Sequence, residues 1–176
     1  MRSVKVWDPL VRFIHWATAL LFFANFTIFD DDSAIHNYAG YVVFGLVVLR
    51  LLWGLVGTKY ARFSAFWPHR KDIVEHLKGL LSRRNEPPLS HNPLGAVMIF
   101  NLLAALVLIS VTGIMLTSDF FHDMDWVEDL HEGIADYALI CVGLHVAGVL
   151  FESLRSKVNL IKAMITGRKE FPEPGR

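Results

Sequence analysis

Four runs of apolar residues, each long enough to cross a lipid bilayer, dominate the 176-residue sequence. They are residues 10–29 (LVRFIHWATALLFFANFTIF), 38–57 (YAGYVVFGLVVLRLLWGLVG), 94–117 (LGAVMIFNLLAALVLISVTGIMLT) and 132–153. A helix needs about 20 mostly apolar residues to span the hydrocarbon core. With 53% hydrophobic and 19% charged residues, little of the chain is left to build a water-soluble core. The expected fold is therefore all-α: an integral membrane four-helix bundle forming a single domain over residues 1–176. The first run is longer than a signal-peptide core, and acidic Asp30, Asp31 and Asp32 follow it where a small-residue cleavage site would be, so it is expected to be a retained helix.

Cys141 is the sole cysteine, which excludes an internal disulfide, and with no C-x-x-C-H motif the chain has no means of attaching a c-type haem to itself. Inside the fourth run, Cys141 reads as a small packing residue.

The net charge is zero, but the charges are sorted. All 17 Lys and Arg residues fall in 1–9, 58–93 and 154–176 or near the adjoining span ends, where Arg12 and Arg50 lie. Segments 30–37 and 118–131 contain none. By the positive-inside rule both termini of this multi-pass membrane protein are expected to be cytoplasmic. The outer segments carry Asp30, Asp31, Asp32, Asp119, Asp123, Asp125, Glu128 and Asp129, with Glu132 at the mouth of the fourth span. Such a face is either ordinary solvated loop or a docking surface for a cationic partner, and it repels small anions. In the inner loop, KDIVEHLKGLLSRR spaces Ile73, Val74, Leu77, Leu80 and Leu81 as one face of a short helix on the inner leaflet. NEPPLSHNPLG then breaks it and launches the third span.

Ionisable groups at membrane depth are costly and point to function. Of the eight histidines, His69, His76, His91 and His122 fall in loops, where solvated or interfacial roles are expected. His15, His36, His131 and His145 lie in or at the mouths of spans. His131 and His145 share one helix and nearly one face, separated by about 21 Å along its axis. The alternating direction of the spans puts His15 at the level of His145, near the inner side, and His36 at the level of His131, near the outer side. Two imidazoles at one level can hold the iron of a b-type haem from opposite sides. Zinc would want its ligands at a single depth, and a proton relay would want carboxylates mid-bundle, where Asn25 and Asn101 lie. One turn beyond the four ligands come Ala19, Gly40, Ala135 and Val149, three of them small enough to let a macrocycle or another helix approach. Arg12 and Arg50 suit haem propionates and equally suit snorkelling to the inner headgroups.

WDPLVRFIHW (7–16), HNYAGYVVFGLVVLRLLWG (36–54), HNPLGA (91–96), LHEGIADYALICVGLHVAGVL (130–150) and NLIKAMITGRKE (159–170) together resemble the bacterial cytochrome b561 family, including the b-type cytochrome subunits of nickel–iron hydrogenases. The resemblance implies a four-helix membrane bundle with two haem b groups, His15 and His145 on the inner iron and His36 and His131 on the outer. HNPLG resembles the hydrogenase branch more than the superoxide oxidase branch. Compared with the larger hydrogenase subunits, the sequence is brief, without a fifth span or long extension.

The expected function is transmembrane electron transfer in a respiratory chain, linking a quinone pool (ubiquinone or menaquinone) to a periplasmic redox partner such as a c-type cytochrome. Lipid is an expected partner and nucleic acid is not. A carrier is expected rather than a stand-alone catalyst, although a quinone-linked oxidoreductase fits the same parts. One alternative is a superoxide oxidase reducing ubiquinone, which would want a basic outer entrance. Another is a membrane-anchor subunit of a larger redox complex.

Overall fold

The computed structural model describes residues 2–82, 92–121 and 124–171. His91, His122 and Asp123, the basic pair Arg83 and Arg84, and most of the NEPPLSHNPLG break lie outside the described residues. The chain is mostly helical: α1 Pro9–Thr27, α2 Ala34–Val56, α3 Arg70–Ser82, α4 Pro93–Leu116, α5 Asp125–Ser156 and α6 Leu160–Thr166. Helices α1, α2, α4 and α5 are each long and apolar enough to cross a membrane. A helix satisfies its backbone donors and acceptors internally, as hydrocarbon surroundings require.

The helix starts are written locally. Asp8 caps α1, its carboxylate accepting from the Val11 N–H at 2.9 Å, and Pro9 opens the first turn without needing a donor. Ser33 Oγ accepts from the His36 N–H at 3.2 Å to start α2, and Asn92 accepts from the Gly95 N–H at 2.6 Å to start α4. Asn159 caps α6 in the same way, and Gly167 ends it at φ +81°, a left-handed conformation that glycine adopts without strain.

Two boundaries differ from expectation. Helix α2 begins at Ala34, so His36 sits inside its first turn. Helix α5 begins at Asp125 and runs for 32 residues, roughly 48 Å, well beyond the apolar core of a bilayer. Asp125, Glu128 and Asp129 therefore ride on its first turns rather than on a loop, where carboxylates favour the positive end of the helix dipole. His131 consequently lies two turns inside the helix, and Val127 on this extension is fully buried.

The expectation of a purely α fold is corrected by a small ribbon. Strand β1 (Arg2–Lys5) pairs antiparallel with β2 (Arg168–Phe171), matching Arg2 to Phe171 and Lys5 to Arg168. Each strand is four residues long, and their partnership spans almost the whole sequence, so no local pattern announces it.

The chain divides into two compact units. The first comprises Met1–Arg12, Leu52–Phe100 and Gly143–Arg176. Val6, Trp7 and Ala163 are buried together there, flanked by Val4, Tyr60 and Met164. Asp8 accepts from Trp53 Nε1 at 3.1 Å and from Thr58 Oγ1 at 2.6 Å, tying the start of α1 to the end of α2. The Phe63 ring lies over Gly54, where any Cβ would fall 2.1 Å from its Cε2. His76 on α3, expected in a solvated or interfacial role, is only 9% exposed. Burial pushes its imidazole below the ordinary value, with Arg155 acting in the same sense and Glu152 opposing both.

The second unit comprises Phe13–Leu51 and Asn101–Val142. Most of its buried residues are small or β-branched, among them Ala39, Val43, Val47, Ala105 and Ala138. Leu20 and Ile140 are exposed at 70% and 64%. Apolar side chains outside and small ones inside is the pattern of helices packed in lipid. Two polar ties join α4 to α5: Tyr137 Oη donates to Asn101 Oδ1 at 2.7 Å, and Asn101 Nδ2 donates to the buried Cys141 Sγ at 3.1 Å.

Candidate metal centre

Within the second unit, α2 and α5 bring His36 and His131 together. Their ring centroids are 6.3 Å apart and their planes are inclined at 67°. Both side chains are half-buried. Asn25 Nδ2 on α1 approaches the His36 carbonyl at 3.4 Å, beside the ring-bearing turn. His36 Nδ1 is buried and makes no hydrogen bond among the described residues; the carboxylate of exposed Asp31 is 3.8 Å away.

His131 is held differently. Its Nδ1 lies 2.8 Å from Thr112 Oγ1 on α4. The Thr112 hydroxyl also lies 2.9 Å from the Leu108 carbonyl and 3.0 Å from that of Ile109. Carbonyls only accept, so with the hydroxyl proton directed to them the hydroxyl oxygen is left to accept from His131 Nδ1–H. In that arrangement the neutral ring carries its proton on Nδ1 and its lone pair on Nε2. The neighbouring Gly113 leaves room for this ring, since a Cβ there would sit 3.2 Å from His131 Cε1.

The other expected residues are distributed as follows. His15, on α1 in the second unit, is half-buried, and its ring meets Trp16 edge-on at 5.2 Å between centroids. His145, on α5 in the first unit, is likewise half-buried. Arg12 belongs to the first unit, where its Nη1 donates to the Ile165 carbonyl near the end of α6. Arg50 is buried on α2 in the second unit, at 8% exposure. A Cβ placed on Gly40, one turn after His36, would meet nothing within 4 Å.

The family model for prokaryotic cytochrome b561 matches residues 6–167. The chain belongs to the prokaryotic cytochrome b561 family. It is similar to the probable Ni/Fe-hydrogenase B-type cytochrome subunit of Bradyrhizobium diazoefficiens, at 25% identity over 96% of this chain and 87% of that protein. Proteins of the same description from Azotobacter vinelandii and Rhizobium leguminosarum bv. viciae are 25% and 24% identical, covering 97% and 98% of this chain and 90% and 91% of their own lengths. No solved structure matches it. As a cytochrome b561 family member with four membrane-capable helices, the chain is a membrane-bound b-type cytochrome of electron transfer.

The His36–His131 pair fits the haem that such a cytochrome carries. A metal–imidazole bond of about 2 Å on each side, plus about 1 Å from each nitrogen to its ring centre, gives about 6 Å between centroids, against the observed 6.3 Å. Neutral imidazoles are suitable axial donors for haem iron. The open space beside Gly40 is what a flat macrocycle next to His36 would need.

Thr112 and Gly113 are the site residues that the sequence alone does not single out. In the run ISVTGIML they look like ordinary small residues of a membrane helix, on a span that carries no histidine. Only the packing of α4 against α5 reveals what they touch.

Proposed function

We propose that this protein is a di-haem transmembrane electron carrier of the bacterial inner membrane, a single domain that links the quinone pool to a periplasmic redox partner. The observation that carries the reading is the facing of His36 and His131 from two different spanning helices at a separation suited to one iron. A b haem, when bound, supplies reversible one-electron chemistry. His36 and His131 hold the outer haem on this reading, and His15 and His145 hold the inner one. Gly40 gives the outer macrocycle access to the backbone, while Arg50 and Arg12 supply positive charge for propionates. The quinone, ubiquinone or menaquinone, is assigned to the inner side near Arg12.

Both termini are assigned to the cytoplasm because no Lys or Arg occurs in 30–37 or 118–131. The outer side then carries the carboxylates at the start of α5 together with Asp30, Asp31 and Asp32. That face steers a basic redox protein and disfavours superoxide, an anion, as a substrate. The relatives' description as cytochrome subunits of a hydrogenase likewise favours a protein partner over a small molecule.

The test is a reduced-minus-oxidised spectrum with a haem count on the purified protein, His15→Ala and His36→Ala. Two haems per chain are expected in the parent and one in each variant, with different haems lost. Colourless parent protein, or loss of the same haem from both variants, refutes the reading.

A further inference from the structure

We infer that Thr112 is a positioning residue for the outer haem: its hydroxyl selects the Nδ1–H form of His131 and sets the reduction potential of the iron that His131 would ligate. The inference rests on the reading that His36 and His131 share a haem.

Three observations on α4 converge. Thr112 is 4% exposed, so water does not compete for its hydroxyl. Its hydroxyl lies within donating distance of the Leu108 and Ile109 carbonyls, and with its proton directed to them it presents an acceptor 2.8 Å from His131 Nδ1. Gly113, the next residue, gives way to the His131 ring where any other residue would press on Cε1 at 3.2 Å. A helix that contributes no histidine thus holds the ring in both tautomer and position.

The physical consequence follows from the role of outer hydrogen bonds at metal sites. A partner accepting from the distal N–H makes an imidazole a stronger donor and fixes its orientation. A stronger donor favours the ferric over the ferrous ion and lowers the potential. The two rings are unequal in this respect, because among the described residues His36 Nδ1 makes no hydrogen bond, the exposed carboxylate of Asp31 lying 3.8 Å away. The tuning therefore falls on the His131 side.

The test is a redox titration of the purified holoprotein as parent, Thr112→Val and Thr112→Ser, with haem counts and the low-temperature magnetic resonance of the ferric haems. Valine keeps the branched shape and removes the acceptor, whereas serine keeps the hydroxyl. Thr112→Val is expected to retain two haems and to raise one midpoint through about a tenfold change in relative ferric affinity, or about 59 mV for one electron, and to shift the resonance of that haem alone. Thr112→Ser should stay within a third of that change. Thr112→Val with two haems and unmoved midpoints overturns the inference, as does Thr112→Ser moving as far as Thr112→Val. Should Thr112→Val bind no haem, the serine variant decides: parental midpoints support the hydroxyl's role, and a full shift refutes it. His131→Ala separates this from the underlying reading, since retention of both haems in that variant removes His131 as a ligand altogether.

Discussion

Replacing Asp8 by alanine tests how the first unit is held together. Its carboxylate accepts from the Val11 N–H as a helix cap, from Trp53 Nε1 at the end of α2, and from Thr58 Oγ1 just beyond. Loss of a cap costs about 1 kcal/mol. The Trp53 bond, to a charged acceptor but half-buried, adds about 1 kcal/mol, at the low end for such bonds. Thr58 is exposed and regains water, so it adds little. The expected loss for Asp8→Ala is therefore about 2 kcal/mol, and Asp8→Asn, which keeps one acceptor oxygen, should lose about half of that. The assay is equilibrium unfolding of the purified protein in mixed micelles titrated with denaturing detergent. A double-mutant cycle of Asp8→Ala with Trp53→Phe isolates the bond across the unit, with an expected coupling of about 1 kcal/mol. The pH dependence has a definite sign. Burial would raise the Asp8 carboxyl, but the hydrogen bonds from Thr58, Val11 and Trp53 outweigh it and hold it below the usual value. Its contribution is therefore complete above about pH 4, the unfolded value, and disappears as the pH falls through the lower folded value. A coupling near zero, or equal losses for Asp8→Ala and Asp8→Asn at pH 7 and pH 3, would refute this account.

Lys169 on β2 is 5% exposed beside the Trp7 ring, and burial lowers its ammonium from 10.5 to about 8 despite the opposing charge of Glu152. The unfolded chain binds more protons between those values, so stability should rise from pH 8 to pH 10.5; Lys169→Met should flatten that rise and stabilise the protein at pH 7, as unfolding titrations at each pH would reveal. Tyr137→Phe removes the hydroxyl that bonds Asn101 across α4 and α5. Interhelical bonds of this kind in membranes contribute about 0.6 kcal/mol, so a loss under ~1.5 kcal/mol with an unchanged haem spectrum is expected, and bleaching of a haem would show that this tie does more than hold two helices.

The spans and the haem-bearing family were legible in the sequence because they depend on composition and period. A run such as YVVFGLVVLRLLWGL can satisfy its backbone in lipid only as a helix, whatever surrounds it. The caps at Asp8, Ser33, Asn92 and Asn159 are local as well, each bonding a donor three residues on. The depth of each histidine followed from counting turns along helices of alternating direction, which put His36 and His131 at one level. What depth could not supply was azimuth, the direction in which each ring points around its helix axis. That depends on how helices with small residues on several faces pack, and many packings satisfy the same apolar pattern. The tertiary structure alone decided that the rings of His36 and His131 stand 6.3 Å apart, that Thr112 on a histidine-free helix meets Nδ1, and that β1 finds β2 across nearly the full length of the chain. Helix formation in lipid is a local requirement and can be read from neighbouring residues; these contacts join residues distant in sequence and arise only when the helices dock.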